Sequence, residues 1–141
     1  MKNVMLWVGA GQIGLAIARR MGTGRKIVVG DKRPENARAM ADQLNAVGFD
    51  VTAVPMDLSD RSSIRAMIAE RQRYGEIDML VNAAGVSPSQ ASIETILKID
   101  LYGTAVLLEG VGRVIAAGGV GLTISSQSGW RMPALTPAQD E

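Results

Sequence analysis

Three glycines spaced as GxGxxG follow a short apolar run, and this arrangement constrains the fold more than any other feature of the chain. Val4–Val8 is continuously apolar, as expected for a strand buried on both faces of a parallel sheet. Gly9, Gly11 and Gly14 then open a segment with helical spacing. A strand, a glycine turn and a helix in this order are typical of a dinucleotide-binding unit, although an isolated GxGxxG also occurs in turns that bind no ligand.

The residues of this turn have separate predicted roles. Gly9 allows the tight turn, Gly11 lets a pyrophosphate approach the backbone, and Gly14 lets the helix pack closely on the strand. Gln12 and Ile13 begin the helix, whose N-terminus supplies N–H donors and the positive end of its dipole. We therefore expect all five residues to bind a cofactor.

Strand and helix patterns alternate along the rest of the chain. Apolar runs predict five strands, at residues 4–8, 26–30, 50–55, 77–81 and 120–125. The first of the intervening helices has Ile13, Ile17 and Met21 on one side, and the last runs from about Ser89 to Ala117. Since crossovers between parallel strands are right-handed, we expect one α/β domain over residues 1–141. It is a Rossmann-type, doubly wound parallel sheet of order 3-2-1-4-5 between two layers of helices.

Polar residues follow the predicted strands, at the edge where open α/β sheets bind ligands. Asp31 ends the second strand about 20 residues after the glycine turn, where a carboxylate binds the ribose hydroxyls of a dinucleotide. The alternative is a solvated acid at a strand end. Lys32 and Arg33 come next, and either could pair with the 2′-phosphate of NADP. Asp31 would repel that phosphate, so we expect NAD as the cofactor, with NADP possible.

Three further segments also follow strands. They are Met56, Asp57 and Leu58 after the third strand, Asn82, Ala83, Ala84 and Gly85 after the fourth, and Ser125 and Ser126 at the end of the fifth. Together with the glycine turn, these segments resemble the short-chain dehydrogenase/reductase family, in the same order and over essentially the whole chain. The resemblance implies an NAD(P)-dependent oxidoreductase that moves hydride between the nicotinamide and a small-molecule carbonyl or secondary alcohol.

The resemblance also implies roles for these residues. The segment around Asp57 would contact the adenine, and the segment from Asn82 to Gly85 would brace the central sheet and lie along the cofactor. Ser126 would polarise the oxygen of the substrate, and Ser125 would then be a strand residue that points away from the site.

Two positions depart from the family's pattern. The family's usual glycine spacing is TGxxxGxG, which suggests that this chain belongs to a divergent branch. Asp100 stands where the family usually has a catalytic Asn, in a predicted apolar stripe made by Ile93, Leu97, Asp100, Thr104, Leu107 and Val111. A buried carboxylate must be paired, hydrogen-bonded or protonated. Asp100 either takes part in a proton relay or bonds to nearby backbone for structural reasons.

The YxxxK motif that supplies the family's acid/base is missing. The only tyrosines are Tyr74 and Tyr102, and Lys98 and Tyr102 are interpreted as a surface pair on one helix. The segment 136–139, Thr-Pro-Ala-Gln, matches the start of a capped helix just before the sequence stops. We therefore expect a fragment of a longer chain that binds cofactor but turns over little or no substrate alone. The alternatives are a non-catalytic dinucleotide-binding module or pseudoenzyme, and a structural oligomerisation unit.

Composition argues against several other functions. A net charge of +1 disfavours nucleic acids and anionic membranes as partners. The absence of Cys and His excludes disulfides and thiol nucleophiles and removes the commonest metal ligands, so no metal site is expected. No apolar run approaches a membrane span, and no signal-peptide pattern is present, so we expect a cytoplasmic location. An exposed fifth strand and a partly uncovered long helix would favour a homo-oligomer.

Overall fold

The first strand is the centre of one parallel sheet in a computed structural model that describes residues 2–140; Met1 and Glu141 lie outside the described residues. The strands are β1 (Val4–Val8), β2 (Lys26–Asp31), β3 (Asp50–Pro55), β4 (Ile77–Asn82) and β5 (Val120–Thr123). They pair in the order β3-β2-β1-β4-β5, and every pair is parallel. The predicted fold class and strand order are confirmed. The first and third strands have the predicted bounds, and the fifth ends earlier than predicted.

Helices cover both faces of the sheet. They are α1 (Gln12–Met21), α2 (Pro34–Asn45), α3 (Arg61–Ala69), α4 (Arg71–Tyr74), α5 (Ile93–Ile96), α6 (Thr104–Gly112), α7 (Gln127–Arg131) and α8 (Pro137–Asp140). A π-helical segment, Leu97–Gly103, joins α5 to α6 without a break. None of the helices within residues 2–140 is both long and apolar enough to cross a membrane.

Two apolar cores form because the side chains of β1 alternate between the faces of the sheet. Met5 and Trp7 pack under α1 and α2, whereas Leu6 and Val8 belong to the core under α3 and α6. Every side chain of β1 is fully buried, as its unbroken apolar sequence predicts. This central strand therefore fixes the positions of both helical layers.

The apolar side predicted for α1 was wrong. Ile13 and Met21 are exposed, and the buried residues of this helix are Gly14, Leu15 and Ala18. Position 14 needs a residue without a side chain because α1 lies very close to β1 there. An ideal Cβ atom on Gly14 would come within 2.0 Å of the Trp7 indole Nε1.

The long helical stretch is shorter than predicted. It begins at Ile93, where the Ser92 hydroxyl accepts the N–H of Thr95 at 3.3 Å, and it ends at Gly112. By contrast, the predicted helix start near the end of the chain is confirmed. There, the Gln139 Oε1 accepts the N–H of Thr136 at 3.0 Å, as in a capping box.

The predicted stripe along this stretch was wrong in its first half. Ile93, Leu97 and Asp100 are exposed, and the buried residues of the π-helical segment are Ile99 and Gly103. A π-helical turn adds a residue to the α-helical repeat, so the side chains on either side of it no longer share one face.

We expect Gly103→Ala to lower the free energy of unfolding by about 1–3 kcal/mol, the usual range for an overpacked core. An ideal Cβ atom at Gly103 would lie 2.0 Å from the carbonyl oxygen of Leu58, and this backbone atom cannot move aside like a side-chain tip. The matched control is Gly112→Ala, in the same helical stretch, where a Cβ atom would meet nothing within 4 Å. Urea denaturation measures both variants, and equal stabilities would contradict this packing.

Candidate functional site

A cleft of about 750 Å³ lies at the carboxyl ends of the strands. Most of the predicted cofactor-binding residues line it: Gly9, Gly11, Asp31, Lys32, Arg33, Met56, Asp57, Leu58, Ala83, Ala84 and Gly85. Its walls also contain residues that the sequence patterns did not indicate: Ala10, Asn36, Val86, Gln90, Ala91, Thr95 and Ile99. Ala10 and Val86 directly adjoin predicted segments. The others come from α2 and from the region around α5, and no local motif marks them.

The glycine turn forms one wall of the cleft. Gly9 has a φ angle of 91°, and a Cβ atom there would lie 2.6 Å from the backbone nitrogen of Ala84. Only glycine fits both the left-handed conformation and this close approach. Gly11 differs, because a Cβ atom at that position would meet nothing within 4 Å. The turn is therefore tightly packed at Gly9 and open at Gly11.

Backbone donors are available where α1 begins. Gly11 precedes the helix and provides no side-chain cap. Within residues 2–140, the N–H groups of Gln12, Ile13 and Gly14 have no hydrogen-bond acceptor. Such uncapped groups, with the positive end of the helix dipole, favour an anion. Gln12 and Ile13 are exposed beside the cleft and do not line it, and Gly14 is buried against Trp7.

Asp31 connects the end of β2 to the glycine turn. Its Oδ2 accepts the N–H of Ala10 at 2.9 Å, and its Oδ1 accepts the N–H of Arg33 at 2.8 Å. A carboxylate has about four acceptor positions, so Asp31 can still accept bonds from a ligand in the cleft. The side chains of Lys32 and Arg33 form no ion pair within the described part of the chain.

Asp57 is held in its ionised form after β3. The hydrogen bond from the Ser59 hydroxyl, at 2.6 Å, is the main cause that lowers the pKa of Asp57. The Ser59 N–H, at 2.9 Å, and the positive charge of Lys32 lower this pKa further, although partial desolvation opposes them. The N–H of Asp57 itself donates to the Ser63 hydroxyl at 2.8 Å.

Asn82 lies beneath the cleft and does not line it. It is buried at the end of β4, and its Nδ2 lies 3.5 Å from the Thr104 hydroxyl on α6. Its Oδ1 accepts the N–H of Ala84 at 3.4 Å. Asn82 thus links β4, α6 and the segment Ala83–Gly85, which does line the cleft.

Asp100 is exposed, so the expectation that it lies on a buried face was wrong. Its Oδ1 accepts the N–H of Val86 at 3.0 Å. The sequence left two roles open for Asp100, a proton relay and a structural bond to nearby backbone. The structure contains the bond to nearby backbone. This hydrogen bond links the π-helical segment to Val86, the residue that directly follows the Ala83–Gly85 segment.

The two serines after β5 are exposed and do not line the cleft. Both follow Thr123, the last residue of the strand, whereas Ser125 had been predicted within it. The Ser126 hydroxyl accepts the N–H of Ser128 at 3.1 Å and so caps α7. Ser126 is thus attached to the sheet through an edge strand whose residues are all exposed.

Neither tyrosine lines the cleft. The Tyr74 ring packs against Lys26, with the ammonium 4.6 Å from the ring centre, at the amino ends of the strands. The Tyr102 hydroxyl accepts a hydrogen bond from Arg61 at 3.2 Å. Lys98 pairs with Glu94 at 2.8 Å. Lys98 and Tyr102 are therefore on the surface, as predicted, but each contacts a different residue.

Comparisons with known proteins agree with the fold. The family model for short chain dehydrogenases matches residues 3–137. The chain is 32% identical over 136 residues to a short-chain dehydrogenase/reductase of Alternaria brassicicola, an alignment that covers 96% of this chain and 50% of that protein. The chain belongs to the short-chain dehydrogenase/reductase family. It spans about half the length of the curated relatives that it matches.

Two solved structures illustrate the likeness. A short chain dehydrogenase from Mycobacterium smegmatis superposes with a TM-score of 0.82 at 26% identity, over 94% of this chain and 61% of that one. An actinorhodin polyketide ketoreductase solved with NADPH has a TM-score of 0.69 at 29% identity, over 78% of this chain and 46% of that one.

We expect Ser59→Ala to raise the pKa of Asp57 toward its ordinary value, because the variant removes the strongest hydrogen bond to the carboxylate. A folded-state pKa below the unfolded one contributes stability above the unfolded pKa, and that contribution is lost as the pH falls through the folded pKa. As the pH falls, the free energy of unfolding of Ser59→Ala should therefore decrease less than that of the wild type, because Asp57 contributes less to it. Carboxyl-carbon NMR measures this pKa directly.

Ser62→Ala is the matched control, because the Ser62 hydroxyl donates to Asp60 at 2.8 Å and not to Asp57. It should change the pKa of Asp57 much less than Ser59→Ala does, because Asp60 acts on Asp57 only through its charge and is the smallest of the causes. If Ser59→Ala left that pKa unchanged, the hydrogen bond from Ser59 would not control the ionisation of Asp57.

Proposed function

We propose that this chain binds NAD and forms the cofactor-binding part of an oxidoreductase. The observation that carries the proposal is the open glycine turn, where the free space at Gly11 belongs to the cleft and the unpaired N–H groups at the start of α1 follow directly beside it. A pyrophosphate needs both backbone donors and close approach to the backbone. Asp31 lies in the same cleft, with acceptor positions left for ribose hydroxyls.

The remaining cleft residues fit the adenosine half of the cofactor. Met56 and Leu58 are buried apolar residues on either side of the ionised Asp57, and Ala83, Ala84 and Gly85 line the same cleft. An adenine ring needs apolar walls and one polar contact at its edge, which we assign to Asp57. Asn82 holds the segment Ala83–Gly85 in place from below.

NAD is the cofactor we propose, with NADP as the alternative. The negative charge of Asp31 opposes a 2′-phosphate at the ribose. Lys32 and Arg33 are exposed at the rim of the cleft without an ion-pair partner among residues 2–140, and they favour that phosphate. The related ketoreductase solved with NADPH keeps this alternative open.

The proposed reaction of the whole protein is the interconversion of a small-molecule carbonyl and a secondary alcohol. When bound, the nicotinamide supplies or accepts the hydride at C4. We assign polarisation of the substrate oxygen to Ser126, which follows β5 and does not line the cleft in this chain alone. Asp100 positions the segment that carries Val86 or contributes to a proton relay. A reduced carbonyl also needs a proton, and neither Tyr74 nor Tyr102 lies in the cleft to donate one. We therefore propose that this chain alone binds cofactor with little turnover.

A non-catalytic dinucleotide-binding module is the second candidate, and the same position of the two tyrosines favours it. The two candidates differ in turnover by the full-length protein. Alcohol-dependent formation of NADH would support the oxidoreductase, whereas saturable NADH binding without turnover on any alcohol or carbonyl would support the binding module.

We expect the chain to bind NADH more tightly than NADPH in calorimetric titrations, and Asp31→Asn to reverse part of this preference. The amide removes the negative charge but keeps one oxygen that can accept the N–H of Ala10. The ratio of the two affinities should move toward NADPH by about tenfold, which equals about 1.4 kcal/mol. Asp42→Asn, which changes an exposed acid on α2 outside the cleft, is the charge-matched control.

An unchanged ratio in Asp31→Asn would exclude Asp31 as the residue that selects the cofactor. If the wild-type chain bound neither dinucleotide, the proposed function itself would be wrong.

We also propose that the protein forms a homo-oligomer through the outer face of the helical stretch 93–112. Leu97, Leu101 and Leu108 are 52%, 66% and 44% exposed along this stretch, and exposed apolar side chains on a helix favour association. Sedimentation velocity should give an oligomer for the wild type and a monomer for Leu101→Glu. Val47→Glu changes an equally exposed apolar residue beyond the end of α2 and should leave the oligomer intact. A monomeric wild type would contradict this proposal.

A further inference from the structure

Two side chains hold the peptide group between Gly9 and Ala10 at its opposite ends. The carbonyl oxygen of Gly9 accepts the indole N–H of Trp7 at 2.7 Å, and the N–H of Ala10 donates to the Asp31 carboxylate at 2.9 Å. In a planar trans peptide, the C=O and N–H bonds point in opposite directions. The two hydrogen bonds together therefore fix the rotation of this peptide plane.

Without these two bonds, and the bond that the N–H of Gly11 donates to the same Gly9 carbonyl oxygen at 2.9 Å, this peptide would rotate easily. Gly9 has a φ angle of 91° and no Cβ atom, so its backbone has access to conformations that other residues avoid. Of the two bonds to the Gly9 carbonyl oxygen, the one from Trp7, a fully buried residue, is the one that holds this oxygen toward the core. A rotated peptide would present this oxygen to the cleft, where its partial negative charge would repel a pyrophosphate.

Trp7 itself is held rigidly. Its side chain is fully buried between β1 and α1, and Gly14 packs directly on the pyrrole side of the indole. A Cβ atom at Gly14 would lie 2.0 Å from Nε1, 2.7 Å from Cε2 and 3.0 Å from Cδ1. The third glycine of the turn thus creates the space in which the indole reaches the carbonyl of the first.

We propose that Trp7 is a positioning residue for the cofactor: its indole N–H holds the Gly9–Ala10 peptide with the carbonyl away from the cleft, which sets the affinity for the pyrophosphate. This inference rests on the proposed binding of a dinucleotide. It adds a residue outside the cleft that the glycine motif alone does not identify. Asp31 holds the other end of the peptide, but its direct role at the ribose makes Trp7 the clearer position to test.

The test replaces Trp7 in the full-length protein by Phe and, through codon suppression, by benzothienylalanine. The second side chain keeps the shape of the indole but has sulfur in place of the N–H donor, so it separates the hydrogen bond from the packing. Trp130→Phe is the matched control, because Trp130 is 90% exposed and does not line the cleft. Calorimetry gives the affinities for NADH and ADP-ribose, and ligand-observed NMR gives the affinity for adenosine.

We expect both Trp7 variants to bind NADH and ADP-ribose about tenfold more weakly, which corresponds to about 1.4 kcal/mol, since the Gly9 carbonyl oxygen loses one of its two donors. Adenosine lacks the pyrophosphate and should bind with unchanged affinity. Trp130→Phe should bind all three ligands like the wild type. This difference between ligands distinguishes a positioning role from a general loss of structure.

The possible failures are distinguishable. If the wild type binds NADH and the benzothienylalanine variant binds it equally well, the role of Trp7 is wrong and dinucleotide binding stands. If adenosine affinity falls by the same factor as ADP-ribose affinity, Trp7 has only a structural role and the inference is overturned. If the wild type binds no dinucleotide, both the inference and the proposed function are removed.

Discussion

Close packing of α1 against β1 is the constraint on which the candidate site depends. The helix can start beside the end of the strand only because Gly14 leaves room for the Trp7 ring. This contact places the unpaired N–H groups at the start of α1 next to the cleft. It also brings the Trp7 indole under the glycine turn, where it bonds the Gly9 carbonyl. A larger residue at position 14 would push the helix away and disrupt both arrangements.

The central strand was predictable because burial on both faces leaves an unbroken apolar run in the sequence. Val4–Val8 and Asp50–Pro55 have the bounds expected of them. Helix faces were harder to predict. In α1 two of the three buried residues are small, Gly14 and Ala18, and Leu15 is the third, whereas the bulky Ile13 remains exposed. Hydrophobic spacing favours large side chains, but a helix that packs this closely on a strand buries small ones.

The π-helical segment had no local signal in the sequence. Spacing in α-helical turns placed Asp100 on the buried side, but the extra residue in the π-helical repeat moved it to the surface. The cleft residues that directly follow strands were predicted from the sequence, since recognisable motifs mark those positions. Asn36, Gln90 and Thr95 reach it only through the tertiary fold, so no spacing along the chain could identify them.

The most direct test of the central claim is calorimetric titration of Gly11→Ala with NADH, together with its urea denaturation. A Cβ atom at Gly11 would meet nothing within 4 Å, and the Gly11 φ angle of −106° suits any residue. The variant should therefore keep the stability of the wild type. The added methyl group would occupy the space through which a pyrophosphate approaches the backbone. We expect NADH binding to fall at least about tenfold, whereas Gly112→Ala should bind normally. Unchanged NADH affinity in a stably folded Gly11→Ala would contradict the assignment of the glycine turn as the pyrophosphate site.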